Sequence, residues 1–262
     1  MKTILVGVDF TKSADNTVNY AIEIAKKTKS RILLFHALTA PLVHTTSGLV
    51  FIAGDDFIKD VGKKMENLQT RFSTLYPKIE FNIEITYNGI RDRVGKLSEQ
   101  NKISLVVLGL ETKTKIEKFI FRNTSVDLIG KISSPIVTVP IRYKKHIIKK
   151  MLVAIDNKEE ISAGLSKRIN MMIDFLGVEA EFVHIKTSDE LVINKGKTKQ
   201  ISIKDIKAKD FQSGIIFYAK QSNADIIMMI SHHYTIFQSL FIESKSKKII
   251  LSSNLPVLSM HK

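Results

Sequence analysis

SLVVLGLETKTKIEKFIFRNTSVDLIGKISSPIVTVP, residues Ser104 to Pro140, is the stretch that decides the fold. An apolar run over Leu105–Leu108 ends at Gly109, a basic polar loop and a short amphipathic segment follow, and a second apolar run begins after Pro135. Strand, loop, helix and strand in this order form half of a parallel α/β unit. The loop leaves the carboxyl end of a strand, where open α/β sheets bind their ligands. The stretch therefore predicts a parallel sheet and a location for a ligand.

The residues ahead of this stretch predict the rest of one α/β unit. KTILVGVDF (2–10) and RILLFHAL (31–38) are continuous apolar runs, as in buried parallel strands. Between them, Ala14–Lys27 carries its apolar residues on one helical face. Three further segments complete the unit, namely a charged helix over Asp55–Tyr76, an alternating edge strand over Ile79–Tyr87 and a short helix over Ile90–Asn101. Residues 39–54 are too many for a simple connection and predict an ordered loop or a flap.

The same pattern recurs later in the chain. KKMLVAID (149–156) repeats KTILVGVD (2–9), His36 recurs as His184, and Pro135 recurs as Pro256. The offset falls from 148 residues at the histidines to 121 at the prolines, so we predict a lost or reduced second helix in the second copy. We predict two tandem domains, residues 1–141 and a shortened 151–262, joined by a basic linker at 142–150.

The composition restricts the class of protein. The 262 residues include no cysteine, which excludes a disulfide framework and a thiolate metal site. No apolar run approaches the roughly 20 residues that span a bilayer. The first residues include Asp9 and lack a small-residue cleavage site, so we do not expect a signal peptide. We expect a cytoplasmic protein with no membrane partner.

The net charge of +14 raises the question of a nucleic-acid partner. Residues 142–150 contain five Lys and Arg and no acid, so about a third of the excess lies in this short run. We interpret the run first as a solvated linker and expect no nucleic-acid partner. A binding patch for phosphate polymers, tested by neutralising its lysines in a salt series, is the alternative.

ILVGVDF, LLFHA, ADIIMM and the loop before PIVTVP together resemble the universal stress protein family over nearly the whole chain. The resemblance implies two tandem, doubly wound parallel sheets of five strands in the order 3-2-1-4-5, a Rossmann-like α/β fold of the adenine nucleotide alpha hydrolase type. It also implies a nucleotide site after the fourth strand, with the pattern G-x-x-G, nine residues, then G-S or G-T. Glycines there let backbone amides approach phosphate oxygens.

The chain retains little of that pattern. In the first copy, the four pattern positions and the following residue hold Gly109, Thr112, Arg122, Asn123 and Thr124. In the second copy, the four positions hold Ile230, His233, Glu243 and Ser244, with Ser231 and His232 in a family-like loop. The carboxylate of Glu243 would repel phosphate, while Arg122 either fills the phosphate space or pairs with a displaced anion. We expect a degenerate nucleotide site in the first copy and a weaker one in the second.

The acids that end the first strand of each copy are Asp9 and Asp156. Each either satisfies amides at the following turn or contacts a nucleotide. We interpret His36 and His184 as core or pocket-lining residues, and the adjacent His232 and His233 are poorly placed for joint metal binding. We expect no metal site and no catalytic residue, because no catalytic motif occurs.

These observations predict a non-enzymatic stress-response or regulatory protein. ATP, ADP or AMP is the cofactor that the resemblance implies, and another small ligand is the alternative. A slow ATPase and a nucleic-acid-binding protein are the rival functions. We expect the two domains to form an intramolecular pseudo-dimer, packed face to face through their last strands, and further self-association stays open.

Overall fold

The apolar runs of the sequence form the strands of a ten-stranded sheet. The computed structural model describes residues 1–38, 42–45, 48–51, 55–87, 90–100, 102–110, 132, 134–155, 162–187, 202–231 and 253–261. The first seven strands are β1 (Thr3–Gly7), β2 (Arg31–Ala37), β3 (Leu42–Thr45), β4 (Gly48–Phe51), β5 (Phe81–Thr86), β6 (Leu105–Leu110) and β7 (Ile136–Pro140). The remaining strands are β8 (Lys150–Ala154), β9 (Glu179–Lys186), β10 (Ile203–Lys207), β11 (Ile226–Ser231) and β12 (Val257–His261).

Five helices connect these strands within the described residues. They are α1 (Lys12–Thr28), α2 (Asp55–Leu75), α3 (Ile90–Glu99), α4 (Ala163–Leu176) and α5 (Phe211–Gln221). Helix α4 begins after Ser162, whose side chain accepts a hydrogen bond from the Leu165 amide at 3.2 Å, and ends at Gly177, whose φ is 57°. None of these helices is both long and apolar enough to cross a membrane.

The sheet consists of two halves with the same strand order. In the first half the order is β5-β2-β1-β6-β7, and in the second it is β10-β9-β8-β11-β12. All neighbours within each half are parallel. Numbered along each half, both orders are 3-2-1-4-5, which confirms the expected topology.

The halves join through their last strands. β12 pairs antiparallel with β7, with Leu258 opposite Val137, so the two halves form one continuous sheet. The predicted pairing of the last strands is therefore confirmed, but the halves meet edge to edge and not face to face. Edge pairing satisfies the backbone groups that two free apolar edges would leave exposed.

Two apolar layers cover the sheet. Ile4 and Val6 lie in the layer shared by α1, α2 and α4, while Leu5 lies in the layer shared by α3 and α5. This alternation shows that β1 is buried on both faces, as its uninterrupted apolar run predicted. Tyr20 of α1 is fully buried, and its hydroxyl has no hydrogen-bond partner within the described residues.

The segment between the second and third strands is described in the first half alone. Between β2 and β5, the β3–β4 hairpin, which pairs Val43 with Val50, was not predicted from the sequence, whereas helix α2 follows as predicted. Between β9 and β10, residues 188–201 lie outside the described residues. The reduced second helix of the second copy therefore stays a prediction.

Candidate functional site

The first candidate residue, Asp9, follows the carboxyl end of β1 and organises the turn into α1. Its Oδ1 accepts hydrogen bonds from the Thr11 amide at 3.0 Å and from the Thr11 hydroxyl at 2.6 Å. The Thr11 side chain makes no capping bond to the helix that it precedes. Asp9 therefore has the turn-forming role that the sequence allowed. The second carboxylate oxygen, Oδ2, takes part in neither bond and is an acceptor for a further donor.

Phe10 comes next and holds an uncommon backbone conformation. Its φ is 59°, in the left-handed region where a bulky side chain is strained. Its ring is 37% exposed, and its centroid lies 4.6 Å from that of the His36 ring, with 43° between the planes. Strained, partly exposed residues are concentrated at functional sites. Phe10 is therefore a site candidate, although its conformation was not predicted from the sequence.

His36 is fixed in orientation by the backbone of β1. Its Nδ1 lies 2.7 Å from the carbonyl oxygen of Val8. Because a carbonyl oxygen only accepts hydrogen bonds, Nδ1 carries the proton and Nε2 is the acceptor of the neutral ring. One ring nitrogen is therefore satisfied, as expected, and the pocket-lining role stays a prediction. Asp9, Phe10 and His36 thus lie together at the carboxyl ends of β1 and β2.

Gly109, the retained glycine of the loop pattern, has a packing reason to be glycine. A Cβ atom at this position would lie 2.5 Å from the Oγ1 atom of Thr17, which is in α1. Val6 pairs with Val107, and continuing this register places Gly109 level with Val8. Gly109 therefore lies beside the switch point between β1 and β6, where ligands bind in such sheets. Its identity alone does not indicate a phosphate site, because close helix packing also requires it.

Most of the other candidates lie outside the described residues. These are Thr112, Arg122, Asn123, Thr124, Asp156, His232 and Ser244. Ser231 is placed by its backbone as the last residue of β11, opposite His261. The structure therefore brings Asp9 and Gly109 to one end of the first half and leaves the remaining site assignments as predictions.

The equivalent histidine of the second half has a different partner. His184 is only 2% exposed, and its Nδ1 lies 3.3 Å from Oδ1 of Asp205 on the neighbouring strand β10. Oδ2 of Asp205 also lies 2.5 Å from the Lys186 ammonium. His36 is held toward β1, whereas His184 is held toward the outer edge of the sheet. The sequence repeat predicted two equivalent histidines but gave no indication of Asp205 as a partner.

The described residues contain no cluster of three metal-ligating side chains. They also show no nucleophile, base and orienting group in mutual hydrogen-bond range at this end of the first half. What Asp9, Phe10 and His36 offer is recognition, namely one carboxylate oxygen that takes part in neither bond from Thr11, a tilted pair of rings and one imidazole nitrogen. Such a set can bind a planar, hydrogen-bonding ligand.

Comparison with known proteins gives one family and several structures of the same fold. The model of the universal stress protein family matches residues 1–140. A universal stress protein from Archaeoglobus fulgidus DSM 4304 is 15% identical with a TM-score of 0.67, over 99% of this chain and 96% of that one. A putative universal stress protein from Pseudomonas aeruginosa UCBPP-PA14 is 11% identical with a TM-score of 0.60, over 100% and 93%.

A universal stress protein solved in complex with cAMP is 17% identical with a TM-score of 0.36, over 53% of this chain and 96% of that one. Comparison with curated protein sequences gives no match. The family model covers more than half of the chain, and its match includes β1, β2, β5, β6 and β7 of the first half. The chain therefore belongs to the universal stress protein family.

Proposed function

We propose that this chain is a non-enzymatic, ligand-responsive regulator of the cytoplasm, built from two copies of one α/β unit. The proposed copies are residues 1–141 and 151–262, with 142–150 as the linker. The shared strand order of the two halves supports this division, as does the repeat of KTILVGVD as KKMLVAID. The copies have diverged, since His36 and His184 contact different partners.

The proposed ligand site lies at the carboxyl ends of β1 and β2 in the first copy. One observation carries this proposal: Phe10 adopts a left-handed φ of 59°, and its partly exposed ring lies tilted against the His36 ring, directly after Asp9. Glycine adopts this φ without strain, whereas a bulky side chain does so at a cost of about 1–3 kcal/mol. The retained strain supports a binding role for the ring.

The proposed ligand is an adenine nucleotide that is bound mainly through its nucleoside part. Stacking on an aromatic residue contributes about 1–3 kcal/mol per base. By contrast, the loop keeps only Gly109 of the phosphate-binding glycines, and that glycine also serves the packing of Thr17. Phosphate groups should then add little affinity. ATP, AMP and adenosine should bind with dissociation constants within about tenfold of one another, since 1.4 kcal/mol is a factor of ten.

Mass spectrometry of protein purified without added nucleotide, followed by titration calorimetry with ATP, AMP and adenosine, tests the proposal. Phe10→Gly removes the ring and relieves the backbone strain, so the variant should fold and bind about 5- to 100-fold more weakly. Phe217→Ala, which removes a ring that is 66% exposed on α5, is the matched control and should bind normally. Unchanged binding by Phe10→Gly contradicts the site. Turnover of ATP above a protein-free blank contradicts the non-enzymatic role.

A further inference from the structure

The basic run 142–150 is anchored to the protein core at two points. Tyr143 and Ile148 are each 7% exposed and belong to the same apolar layer as α1 and α4. The Tyr143 ring packs edge-on against Tyr20, with the ring centroids 6.0 Å apart. Its hydroxyl donates a hydrogen bond of 3.0 Å to the main-chain oxygen of Asp225. A charged run that the sequence presents as a solvated linker is therefore an ordered segment.

A buried carboxylate fixes the end of the run. Asp225 is 3% exposed, and its Oδ2 accepts hydrogen bonds from the amides of Lys149 at 2.8 Å and Lys150 at 3.0 Å. Its Oδ1 accepts a hydrogen bond from the Lys145 ammonium. Burial raises the pKa of Asp225, but the hydrogen bonds from Lys145 and the two amides outweigh that effect and leave the pKa below the usual value. The carboxylate is therefore charged at neutral pH.

Helix α1 holds the other side of the run. The Nε2 atom of His146 donates a hydrogen bond of 3.0 Å to Oδ1 of Asn16. Burial lowers the pKa of His146, so this ring is neutral at pH 7. The Lys27 ammonium donates to the carbonyl oxygen of Ile148 at 3.4 Å and also to that of Gly177. The segment is thus fixed between α1, the end of α4 and the start of β11.

The cations of the run divide into paired and unpaired groups. Lys145 pairs with Asp225, and the Lys150 ammonium lies 2.8 Å from Oε2 of Glu181. The other three cations are exposed and form no ion pair within the described residues: Arg142, Lys144 and Lys149. We call these three residues the linker ridge. Because the backbone beneath them is ordered, little backbone entropy remains to be lost when they bind a partner.

We propose that the linker ridge binds the phosphodiester backbone of nucleic acid without sequence preference. Three exposed cations that form no ion pair with the described part of the chain lie on one ordered segment, and the net charge is +14; together these form the electrostatic footprint of such binding. The aromatic residue of the run, Tyr143, is buried, so the ridge presents no ring on which a base could stack. Phosphate contacts then supply the affinity and carry no base specificity.

The ridge fits a nucleic acid better than a lipid surface. Segments that bind membrane surfaces combine basic residues with an apolar face that enters the headgroup region. Here the apolar residues Tyr143 and Ile148 are directed into the core, and Ile147, which is 57% exposed, is the single exposed apolar side chain of the run. One isoleucine buries too little apolar area to anchor a protein at a bilayer.

The test uses a fluorescein-labelled single-stranded oligonucleotide of mixed sequence and anisotropy measured over a salt series. The triple variant Arg142→Gln, Lys144→Gln and Lys149→Gln should bind at least about tenfold more weakly at 0.1 M salt. It should also lower the slope of log affinity against log salt by about 2, since each lost phosphate contact removes about 0.7. The control variant Lys59→Gln, Lys63→Gln and Lys78→Gln has the same net charge but changes exposed residues elsewhere. It should keep the slope and lose less than threefold in affinity.

Two other results would overturn the proposal. If both triple variants lose oligonucleotide affinity equally, only the net charge matters. If the unchanged protein does not bind the oligonucleotide, the proposed site does not exist. Vesicles of phosphatidylcholine with phosphatidylserine form the second arm. Binding to these vesicles that the ridge variant abolishes, with no binding to the oligonucleotide, would assign the ridge to membranes. The single change Lys144→Glu, which should weaken oligonucleotide binding at unchanged melting temperature, separates loss of contact from loss of fold.

Discussion

Replacing Asp225 by asparagine should destabilise the protein by about 3 kcal/mol. Hydrogen bonds to a charged group contribute about 1.5–3 kcal/mol each, whereas neutral ones contribute about 0.5–1.5. Asp225 accepts two such bonds from the amides of Lys149 and Lys150. Asparagine keeps the shape, but its one oxygen can serve both amides only as a neutral acceptor, and its NH₂ group then faces the Lys145 ammonium, which is also a donor. The Lys145 side chain is 60% exposed, so its loss as a partner adds little after solvent screening.

Urea unfolding followed by circular dichroism measures this loss, and hydrogen exchange locates it. The amide hydrogens of Lys149 and Lys150 should exchange faster in Asp225→Asn than in the unchanged protein. Asp60→Asn is the matched control, because Asp60 is half exposed and pairs with the exposed Lys64 one helical turn away. That control should cost less than about 0.5 kcal/mol. A loss below about 1 kcal/mol in Asp225→Asn, with unchanged exchange at both lysines, would refute the claim that the Asp225 carboxylate holds residues 149 and 150 in place.

The difference in the free energy of unfolding between the unchanged protein and Asp225→Asn should become smaller as the pH falls. The folded pKa of Asp225 lies below the value of about 3.9 that an unfolded aspartate has. Its contribution to stability is therefore complete above that value and is lost as the pH falls through the folded pKa. The gap between the unchanged protein and Asp225→Asn should be full at pH 7 and should narrow below about pH 4. A gap that stays constant down to pH 2 would contradict the assignment of a charged carboxylate.

Three further substitutions test the packing around the sheet. Gly109→Ala should cost about 1–3 kcal/mol, because its Cβ would meet Thr17, and Thr17→Ala in the same chain should recover most of the loss in urea unfolding. Tyr20→Phe should raise the free energy of unfolding by about 1 kcal/mol, since it removes a buried hydroxyl that has no partner among the described residues. A lower free energy of unfolding would show that the hydroxyl does have a hydrogen-bond partner. Ser134→Ala should cost about 1–3 kcal/mol, because the buried Ser98 hydroxyl, 2.7 Å away, loses this contact, and urea unfolding measures the loss. The same change at the exposed Ser202 should be tolerated.

The sequence predicted the sheet well because its strands are buried on both faces. Uninterrupted apolar runs at Thr3–Gly7 and Leu105–Leu110 leave few alternatives to central parallel strands. The repeat and the family resemblance then supplied the strand order, which each half confirms. The meeting of β7 and β12 was predicted from their apolar edges. The edge-to-edge geometry was not, because it depends on backbone pairing between strands 119 residues apart, as at Thr138 and Val257.

The site and the linker were harder to predict because their chemistry depends on contacts between distant residues. The left-handed φ of Phe10 has no signature in the residue itself, since phenylalanine rarely adopts it. The carboxylate that fixes the basic run is Asp225, 76 residues from Lys149 in sequence. Composition showed five positive charges in the run but could not show which were already paired. Contacts between residues that are distant in sequence therefore decide which cations of the run form ion pairs and which belong to the linker ridge. The local sequence pattern does not.

The junction of β7 and β12 also frees each half to change independently. Both edges belong to one chain and are joined through residues 142–150, so each meets the other at about millimolar effective concentration. Two separate chains would need self-complementary edges to find each other, and every change in one surface would alter both subunits at once. Tethered halves have no such constraint. Gly109 of β6 can persist while Ile230 occupies the matching position in β11, because a change in one edge of a single chain does not have to be repeated in the other.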